Sequence, residues 1–387
     1  MSFFTVIKNE AKRIFKDPAI VLTIIGGVIL YSFLYPQPYA KQSVSELHVS
    51  VVDLDKSDLS REIIFKLDAT PQINIVRRDL SEQNAKDALL QSKVRAVIVI
   101  PRDFKRDIAL NKSPTIAVGA DSSYFLIYGS VLEGAMKSVL TQSAMIKVAN
   151  LLKEQVPLIQ AEHAYAPYTL DTINLFNINN SYTQYVIPAV FVLILQQIIL
   201  IGLGILGGGV NEAMKKGEEG YFKDAAIWQM YLSRIIIFGL LFFIHMLFYF
   251  GYSFEHLGVT RMAEIYDIIT LGVPFLLASI ALGLFLGSLF SSREIATPAI
   301  LFTSLPLIFS AGFIWPLESL PGYMYLLSLL APCTAAIHGF LGINQMGADF
   351  SMIINDYMIL WIQTIVYLTL AGFIFKRRRE NAYKQHR

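Results

Sequence analysis

One cysteine, Cys333, stands in a chain of 387 residues. That excludes an internal disulfide framework and any site built on several thiolates. Charge is also scarce, at 16% Asp, Glu, Lys and Arg, where soluble globular chains carry about 25%. The deficit argues against a soluble enzyme. The formal net charge is only +2, so nucleic acid is not a partner that the composition suggests. The six histidines are scattered, and none pairs at i,i+4 with a second ligand, so a metal site has no support. No G-x-x-x-x-G-K-[ST] occurs, so the chain has no P-loop of its own. Disorder is excluded by what is abundant: 54% hydrophobic residues, 26 Phe, 19 Tyr and a mean hydropathy of +0.50.

The apolar residues are gathered into six charge-free stretches: Pro18–Tyr35, Val186–Leu206, Ile235–Phe254, Ile268–Ser292, Ile295–Leu317 and Tyr357–Phe375. A helix needs roughly 20 such residues to cross a bilayer. Buried core helices are normally shorter and broken by charges, so six membrane spans are expected. The stretch after the first, Pro36-Gln37-Pro38-Tyr39-Ala40, lacks a small-x-small cleavage site, so Pro18–Tyr35 reads as an uncleaved span. Ahead of it, residues 1–17 place Phe4, Ile7, Ala11 and Ile14 opposite Lys8, Lys12 and Lys16, the pattern of a helix lying in the cytoplasmic interface.

Orientation follows from Lys and Arg in the short connections. Lys8, Lys12, Arg13 and Lys16 precede the first span; Lys215, Lys216 and Lys223 follow the second; Arg293 follows the fourth. The tail 376–387 adds Lys376, Arg377, Arg378, Arg379, Lys384 and Arg387. On the other side, 255–267 has only Arg261 and 318–356 has none. Both termini are expected in the cytoplasm, with 36–185 outside it.

Within 36–185, from Leu47, the pattern changes to short β-rich runs between polar helical runs. Strands are expected at His48–Asp53, Ile73–Arg77, Ala96–Ile100 and Ile116–Ala120, with helices at Leu59–Leu67, Ser81–Gln91 and Phe104–Leu110. A long amphipathic helix follows at about Ser123–Leu152, its apolar residues Val131, Leu132, Ala135, Val139, Ala144, Val148 and Leu151 stepping by three and four. The fold class is therefore an α-helical polytopic membrane protein with an inserted extracytoplasmic α/β domain.

Two motifs mislead. Asp53-Leu54-Asp55 ends a strand as the first motif of haloacid-dehalogenase-type phosphatases does, yet Ser57 stands where Thr or Val is usual and no second acidic pair follows. A turn with a helix N-cap at Asp55 or Ser57 explains it as well. Gly202-Leu203-Gly204-Ile205-Leu206-Gly207 spells a dinucleotide fingerprint inside an apolar span, with no strand before it. Gly204 with Gly208, and Gly283 with Gly287, are better read as faces that let helices approach closely.

Three regions are candidates for function. The loop Asn211–Phe222 is a compact charged helix-turn with Glu212, Lys215, Lys216, Glu218, Glu219 and Gly220. The run Gly312-Phe313-Ile314-Trp315-Pro316-Leu317-Glu318-Ser319-Leu320-Pro321 precedes a charge-free stretch to Ala348, broken by Pro and Gly. Two short helices dipping into the outer leaflet fit it, and irregular backbone at that depth lines a cavity or is buried in protein. Gln196, Gln197 and His245 sit inside spans, where polar side chains face a pathway or bond between helices.

The order of these segments resembles a type-2 ABC exporter permease along nearly the whole chain. The resemblance is carried by Val49–Glu62, Ala96–Phe104, Val118-Gly119-Ala120-Asp121, Tyr185-Val186-Ile187-Pro188 and, most specifically, Gly312–Pro321. The family's Glu-Gly-Thr segment is reduced here to Glu219-Gly220. The resemblance implies a permease that binds no cofactor and moves a small or amphipathic substrate out of the cytoplasm or inner membrane. A separate P-loop ATPase would bind ATP and Mg and drive it. It implies a second permease copy, identical or sister, and in related systems a periplasmic adaptor and an outer-membrane channel. Glu212, Lys215, Lys216, Glu218, Glu219 and Gly220 would couple to the ATPase. Phe313, Trp315, Pro316, Glu318 and Pro321 would form the outer gate; Gln196, Gln197 and His245 would line a pathway. A membrane-anchored receptor or enzyme acting through the α/β domain is the competing class.

Overall fold

The computed structural model describes residues 1–39, 45–110, 112–122, 125–165, 175–177, 181–218 and 220–385. These form two compact units: Met1–Gln42 with Asn174–Arg387, and Ser43–Ile173 between them. The α/β unit is thus somewhat tighter than 36–185.

The first unit opens with helix α1, Phe3–Lys16, followed by the apolar helix α2, Pro18–Tyr39. Asp17 separates them, its Oδ1 accepting from the Ala19 amide at 3.0 Å, an N-cap for a helix that begins with proline. The buried face of α1 is Val6, Glu10 and Ile14. The expected interfacial stripe lies beside it: Phe4 is exposed, Ile7 and Ala11 are half-buried, and Ile14 belongs to both faces. A carboxylate, Glu10, occupies the centre of the buried face.

The inserted unit follows the expected order closely. Its elements are β1 Leu47–Asp53, α3 Asp58–Asp68, β2 Ile73–Asp79, α4 Glu82–Leu90, β3 Ala96–Ile100, α5 Phe104–Ala109, β4 Ala117–Ala120, α6 Phe125–Lys153 and α7 Leu158–Tyr165. The sheet order is β2-β1-β3-β4. Strand β1 runs parallel to β2 and β3, and β4 is antiparallel to β3. Alternation along β1 sends Val49 and Val51 into a core with Ile63, Leu67, Ile98, Val131 and Ala135, and Val52 to the opposite face with Ala85, Ala88 and Val94. Helices cover both faces, as parallel strands require.

After the inserted unit come α8 Tyr182–Lys215, α9 Tyr221–Asp224, α10 Ile227–Leu257, α11 Ile265–Leu289 and α12 Arg293–Ser310. Two short helices, α13 Gly322–Ser328 and α14 Pro332–Gln345, are bent 91° from one another, and α15 Ile354–Gln385 closes the chain. Among the described residues, five helices are long and apolar enough to cross a membrane, or six if the bent pair counts as one span. They are α2, α8, α10, α11 and the last. The expected fifth span, Ile295–Leu317, is shorter than its apolar run: α12 stops at Ser310, holds Pro298 and Pro306, and gives way to a turn at Gly312 with φ +87°.

Helix α8 is the axis of the bundle, nine-tenths of its apolar window being buried. Glycine explains how close its neighbours come. A Cβ on Gly207 would sit 2.6 Å from the Gly287 carbonyl oxygen, and one on Gly283 would lie 2.8 Å from Leu203 Cδ1. The expected α11 glycines, Gly283 and Gly287, thus pack against α8 at Leu203 and Gly207, whereas Gly204 and Gly208 face Ala296, Ile300 and the Ser292–Arg293 backbone at the start of α12. A Cβ on Gly202 would meet Ile24 Cγ2 at 2.7 Å, which sets the approach of α2. Tyr249 of α10 donates its hydroxyl to the Val28 carbonyl at 2.8 Å, satisfying a buried polar group between helices.

Candidate functional site

The expected functional residues of the helical unit fall at the two ends and the interior of α8. That helix is 34 residues long, roughly 50 Å at 1.5 Å per residue.

At the Lys215 end the turn is built by backbone chemistry. Lys216 is the C-cap and Gly217 follows at φ +73°. The Gly217 amide donates to the Met214 carbonyl at 3.1 Å and the Glu218 amide to Ala213 at 3.0 Å. These are the two bonds of a Schellman motif, whose left-handed position favours glycine. Glu212 and Lys216 pair at 2.8 Å, and that bond raises Lys216 above the ordinary lysine value. Lys215, Lys216 and Glu218 are exposed. Glu219 lies outside the described residues. Gly220 is pressed against the Phe222 ring, leaving no room for a Cβ.

The turn is tied down through residues that the sequence reading passed over. Phe222 is buried, and the Arg13 guanidinium lies 5.7 Å from its ring centroid, a cation–π distance. One turn earlier on α1, Glu10 meets Arg234 of α10: Nη2 to Oε1 is 3.0 Å, and Nε reaches both carboxylate oxygens at 3.1 Å. Their side chains are 0% and 3% exposed. Tyr221 stands beside them, and burial, reinforced by the Glu10 charge, pushes its phenol above the usual tyrosine value. Arg379 of α15 donates to the Ala225 carbonyl at 2.7 Å, and Gln229 to the Met1 carbonyl at 3.2 Å. Arg293, at the start of α12, pairs with Asp17 at 3.0 Å. The turn, α1, α10 and α12 are thus joined by charge at one end of the bundle. A signal existed in the sequence: Glu10 shares a helical face with Val6 and Ile14, and Arg234 borders the apolar run that starts at Ile235.

The same end carries a second cap. Asn211 donates from Nδ2 to the carbonyls of Gly287 at 3.0 Å and Phe290 at 2.8 Å, and Arg378 donates to Phe290 at 3.0 Å. These satisfy C-terminal carbonyls of α11 that have no partner within the helix.

At the other end, a cavity of about 510 Å³ is lined by Tyr185, Phe313, Pro316, Leu317, Glu318 and His338 among others. Phe313 is buried, whereas Trp315, Pro316, Glu318 and Pro321 are exposed. Gly312 takes its positive φ with Leu317 packed against it, which folds the Gly312–Leu317 turn back on itself. His338 Nδ1 lies 2.7 Å from Asp356 Oδ2, joining α14 to α15, a pair that the sequence did not announce. Among the expected gate residues, Phe313, Pro316 and Glu318 share the cavity; Trp315 and Pro321 do not line it.

The interior polar residues do not converge. Gln196 Oε1 accepts from the Cys333 amide at 2.6 Å, and its Nε2 reaches Cys333 Sγ at 3.3 Å. It therefore joins α8 to α14, as interhelical hydrogen bonding requires. Gln197 is buried with neither amide atom bonded, and His245 packs edge-on to Phe242 at 5.2 Å with Nδ1 unbonded. Among the described residues no hydrogen bond links these three.

In the α/β unit the aspartate pair shapes a turn. Asp53 Oδ1 accepts from the amides of Asp55 and Lys56 at 3.1 and 2.9 Å, and Oδ2 from the Ser60 hydroxyl at 2.8 Å. Asp55 accepts from the Lys105 amide at 3.2 Å, and Ser57 is the N-cap of α3.

Comparison with known proteins places this arrangement. The profile of ABC-2 family transporter proteins matches residues 18–373. The chain is 20% identical to the probable multidrug ABC transporter permease YbhS of Escherichia coli, over 96% of this chain and 95% of the relative. It is 22% identical to the inner membrane transport permease YhhJ of the same organism, over 95% and 93%. It is 25% identical to the linearmycin resistance permease protein LnrN of Bacillus subtilis, over 36% and 37%.

Proposed function

The chain belongs to the ABC-2 family of transporter proteins, and from that premise we propose how this transmembrane subunit works: it exports a small or amphipathic substrate, driven by a separate P-loop ATPase. Two permease chains, identical or sister, pair across the bilayer. The ATPase binds ATP and Mg²⁺, since this sequence has no P-loop. Both termini face the cytoplasm in this reading, and residues 36–185 lie outside it, where they are placed to meet a periplasmic adaptor.

The observation that carries the reading is the mechanical linkage at the Lys215 end of α8. ATPase closure would act on Glu212, Lys215, Lys216, Glu218, Glu219 and Gly220. The buried Glu10–Arg234 pair and the Arg13–Phe222 contact would pass that movement to α1 and α10. At the far end of the same rigid helix lies the cavity with Phe313 and Glu318, which serves as the outer gate. Trp315 anchors the gate turn at the interface, where its exposed indole suits lipid headgroups. Gln197 and His245 are the polar groups nearest to forming a pathway, because each keeps an unbonded buried atom; Gln196 is committed to Cys333. Alternating access requires ATP and cargo to favour different states.

Co-purification tests the linkage. A P-loop ATPase should accompany the tagged chain, and Glu218→Lys should weaken that association. Retention of the ATPase at wild-type level after the reversal would remove the loop from the contact. Orientation is tested separately, by replacing Cys333 and labelling single cysteines. A site at Ser92 should react from the side opposite a site in the 376–385 tail; labelling of both from one side would overturn the topology.

A further inference from the structure

The α/β unit holds a cavity of about 550 Å³ between α6 on one wall and α5 with the approach to β4 on the other. Its apolar wall includes Phe104, Ile108, Ile116, Val118, Leu132 and Val139. The polar lining residues are Lys112, Ser113, Gln142, Ser143, Lys147 and Asn150, and no Asp or Glu lines the cavity among the described residues.

Along α6 the lining is graded: Leu132, Ala135, Met136, Val139 and Leu140 come first and Gln142, Ser143, Lys147 and Asn150 last, Lys147 about 22 Å beyond Leu132 at 1.5 Å per helical residue. Lys112 and Ser113 line the same cavity from the segment between α5 and β4. Lys112 also neighbours Asp107, at 3.7 Å, and Gln142 is held by Lys66.

The apolar end is not spare core. Val131 and Ala135 of α6 are buried against the sheet, while Met136 and Leu140, one turn on, line the cavity and are 51% and 55% exposed. Met136 and Leu140 thus offer their apolar surface to the cavity rather than to the sheet. We infer that the cavity binds one single-chain amphiphile with an anionic head, its hydrocarbon chain along Leu132–Leu140 and its head against Lys147, Lys112 and Asn150. A peptide is disfavoured because its backbone would need polar partners along the whole groove, and on α6 the polar lining begins only at Gln142. The inference concerns binding alone and stands apart from the transport reading.

The test is photolabelling of the full chain in nanodiscs of neutral phosphatidylcholine. Three mid-chain diazirine probes are compared: palmitate, its methyl ester and phosphatidylglycerol. Palmitate should label peptides covering 104–118 and 132–150, and the other two should label the spanning helices alone. Lys112→Gln with Lys147→Gln should reduce palmitate labelling of those peptides about tenfold, the loss of a charge-assisted contact. Val139→Trp should abolish it by filling the groove. If that variant does not fold, the lysine pair decides. Palmitate confined to the spanning helices, or equal labelling by the methyl ester, would overturn the proposal. Equal labelling by phosphatidylglycerol would overturn the single-chain assignment.

Discussion

Glu10 and Arg234 form a buried ion pair, Nη2 to Oε1 3.0 Å, between the amphipathic N-terminal helix and the start of α10. The two residues are 224 positions apart, so the pair closes the helical unit on itself. Removing one member leaves a charge in a dry interface, which costs about 3–5 kcal/mol. Glu10→Ala should therefore lower the thermal stability of the detergent-purified chain strongly. Glu10→Leu with Arg234→Met should recover most of the loss, since a well-packed apolar pair avoids desolvation. A Glu10→Ala variant that melts with the wild type would show that α1 is not held by this contact.

Asn211 gives a second, independent measure of the same end. Its side-chain amide serves carbonyls at the C-terminus of α11. Asn211→Ala should cost about 1–3 kcal/mol, the penalty for buried groups left unsatisfied. The effect should appear as faster hydrogen exchange in residues 285–292. Unchanged exchange there would mean that Arg378 suffices as the cap.

Acid should act on the α/β unit through Asp79. Arg77 bonds both carboxylate oxygens at 2.7 and 3.2 Å, and the Ser50 hydroxyl adds a bond at 2.6 Å. The Arg77 guanidinium first, then Ser50, hold the Asp79 carboxyl below the usual carboxylate range. A depressed acid stabilises the fold above its unfolded value of about 4, and that stability is lost as pH falls through the lower folded value. Asp79→Asn lacks the contribution throughout. The gap between wild type and variant should be widest above the unfolded value and close as pH falls through the lower folded value. Protection of the β1 and β2 amides against hydrogen exchange, followed across that range, checks the sign.

The α/β unit was largely legible in the sequence because its signals are local. Short runs of β-branched residues marked β1 and β3, and Ser57 and Ser81 each cap the helix that starts at the next residue. The long membrane helices were legible through their apolar runs. Partnership between distant segments was not. Nothing local to Glu10 names Arg234, and nothing near Gln196 names Cys333. The buried face of α1 was not legible for the same reason: it centres on a charge whose partner is far along the chain. The long apolar stripe of α6 was seen, but its division into a packed half and a cavity wall depends on where the sheet ends.

Glycine tests the bundle at its tightest point. Gly207→Ala places a Cβ 2.6 Å from the Gly287 carbonyl oxygen, a backbone atom that cannot rotate away. The helices must separate, with a cost of about 1–3 kcal/mol for overpacking. Gly209→Ala is the matched control, because its Cβ would meet only Arg13 Nη2, at 3.7 Å. Thermal melts should drop for position 207 and hold for 209. Equal behaviour would show that the crossing of α8 and α11 is not set by these glycines.

The last prediction separates folding from coupling. Gly217 adopts φ +73° after the C-cap of α8, and a residue with a Cβ pays about 1–2 kcal/mol there. Gly217→Val should disrupt the Schellman bonds and shift Glu218 away from its place, while the buried Glu10–Arg234 pair still holds α1 to α10. Gly217→Asn, which tolerates the left-handed region, should behave nearly as wild type. If the turn is the contact for the ATPase, substrate-stimulated ATP hydrolysis by the reconstituted complex should fall in the valine variant and survive in the asparagine variant. The melting temperature should move by only a few degrees in either. Equal loss of stimulation in both would point to side-chain crowding rather than backbone conformation. Undiminished stimulation in both would move the power stroke elsewhere, with the Arg293–Asp17 contact at the start of α12 the next place to test.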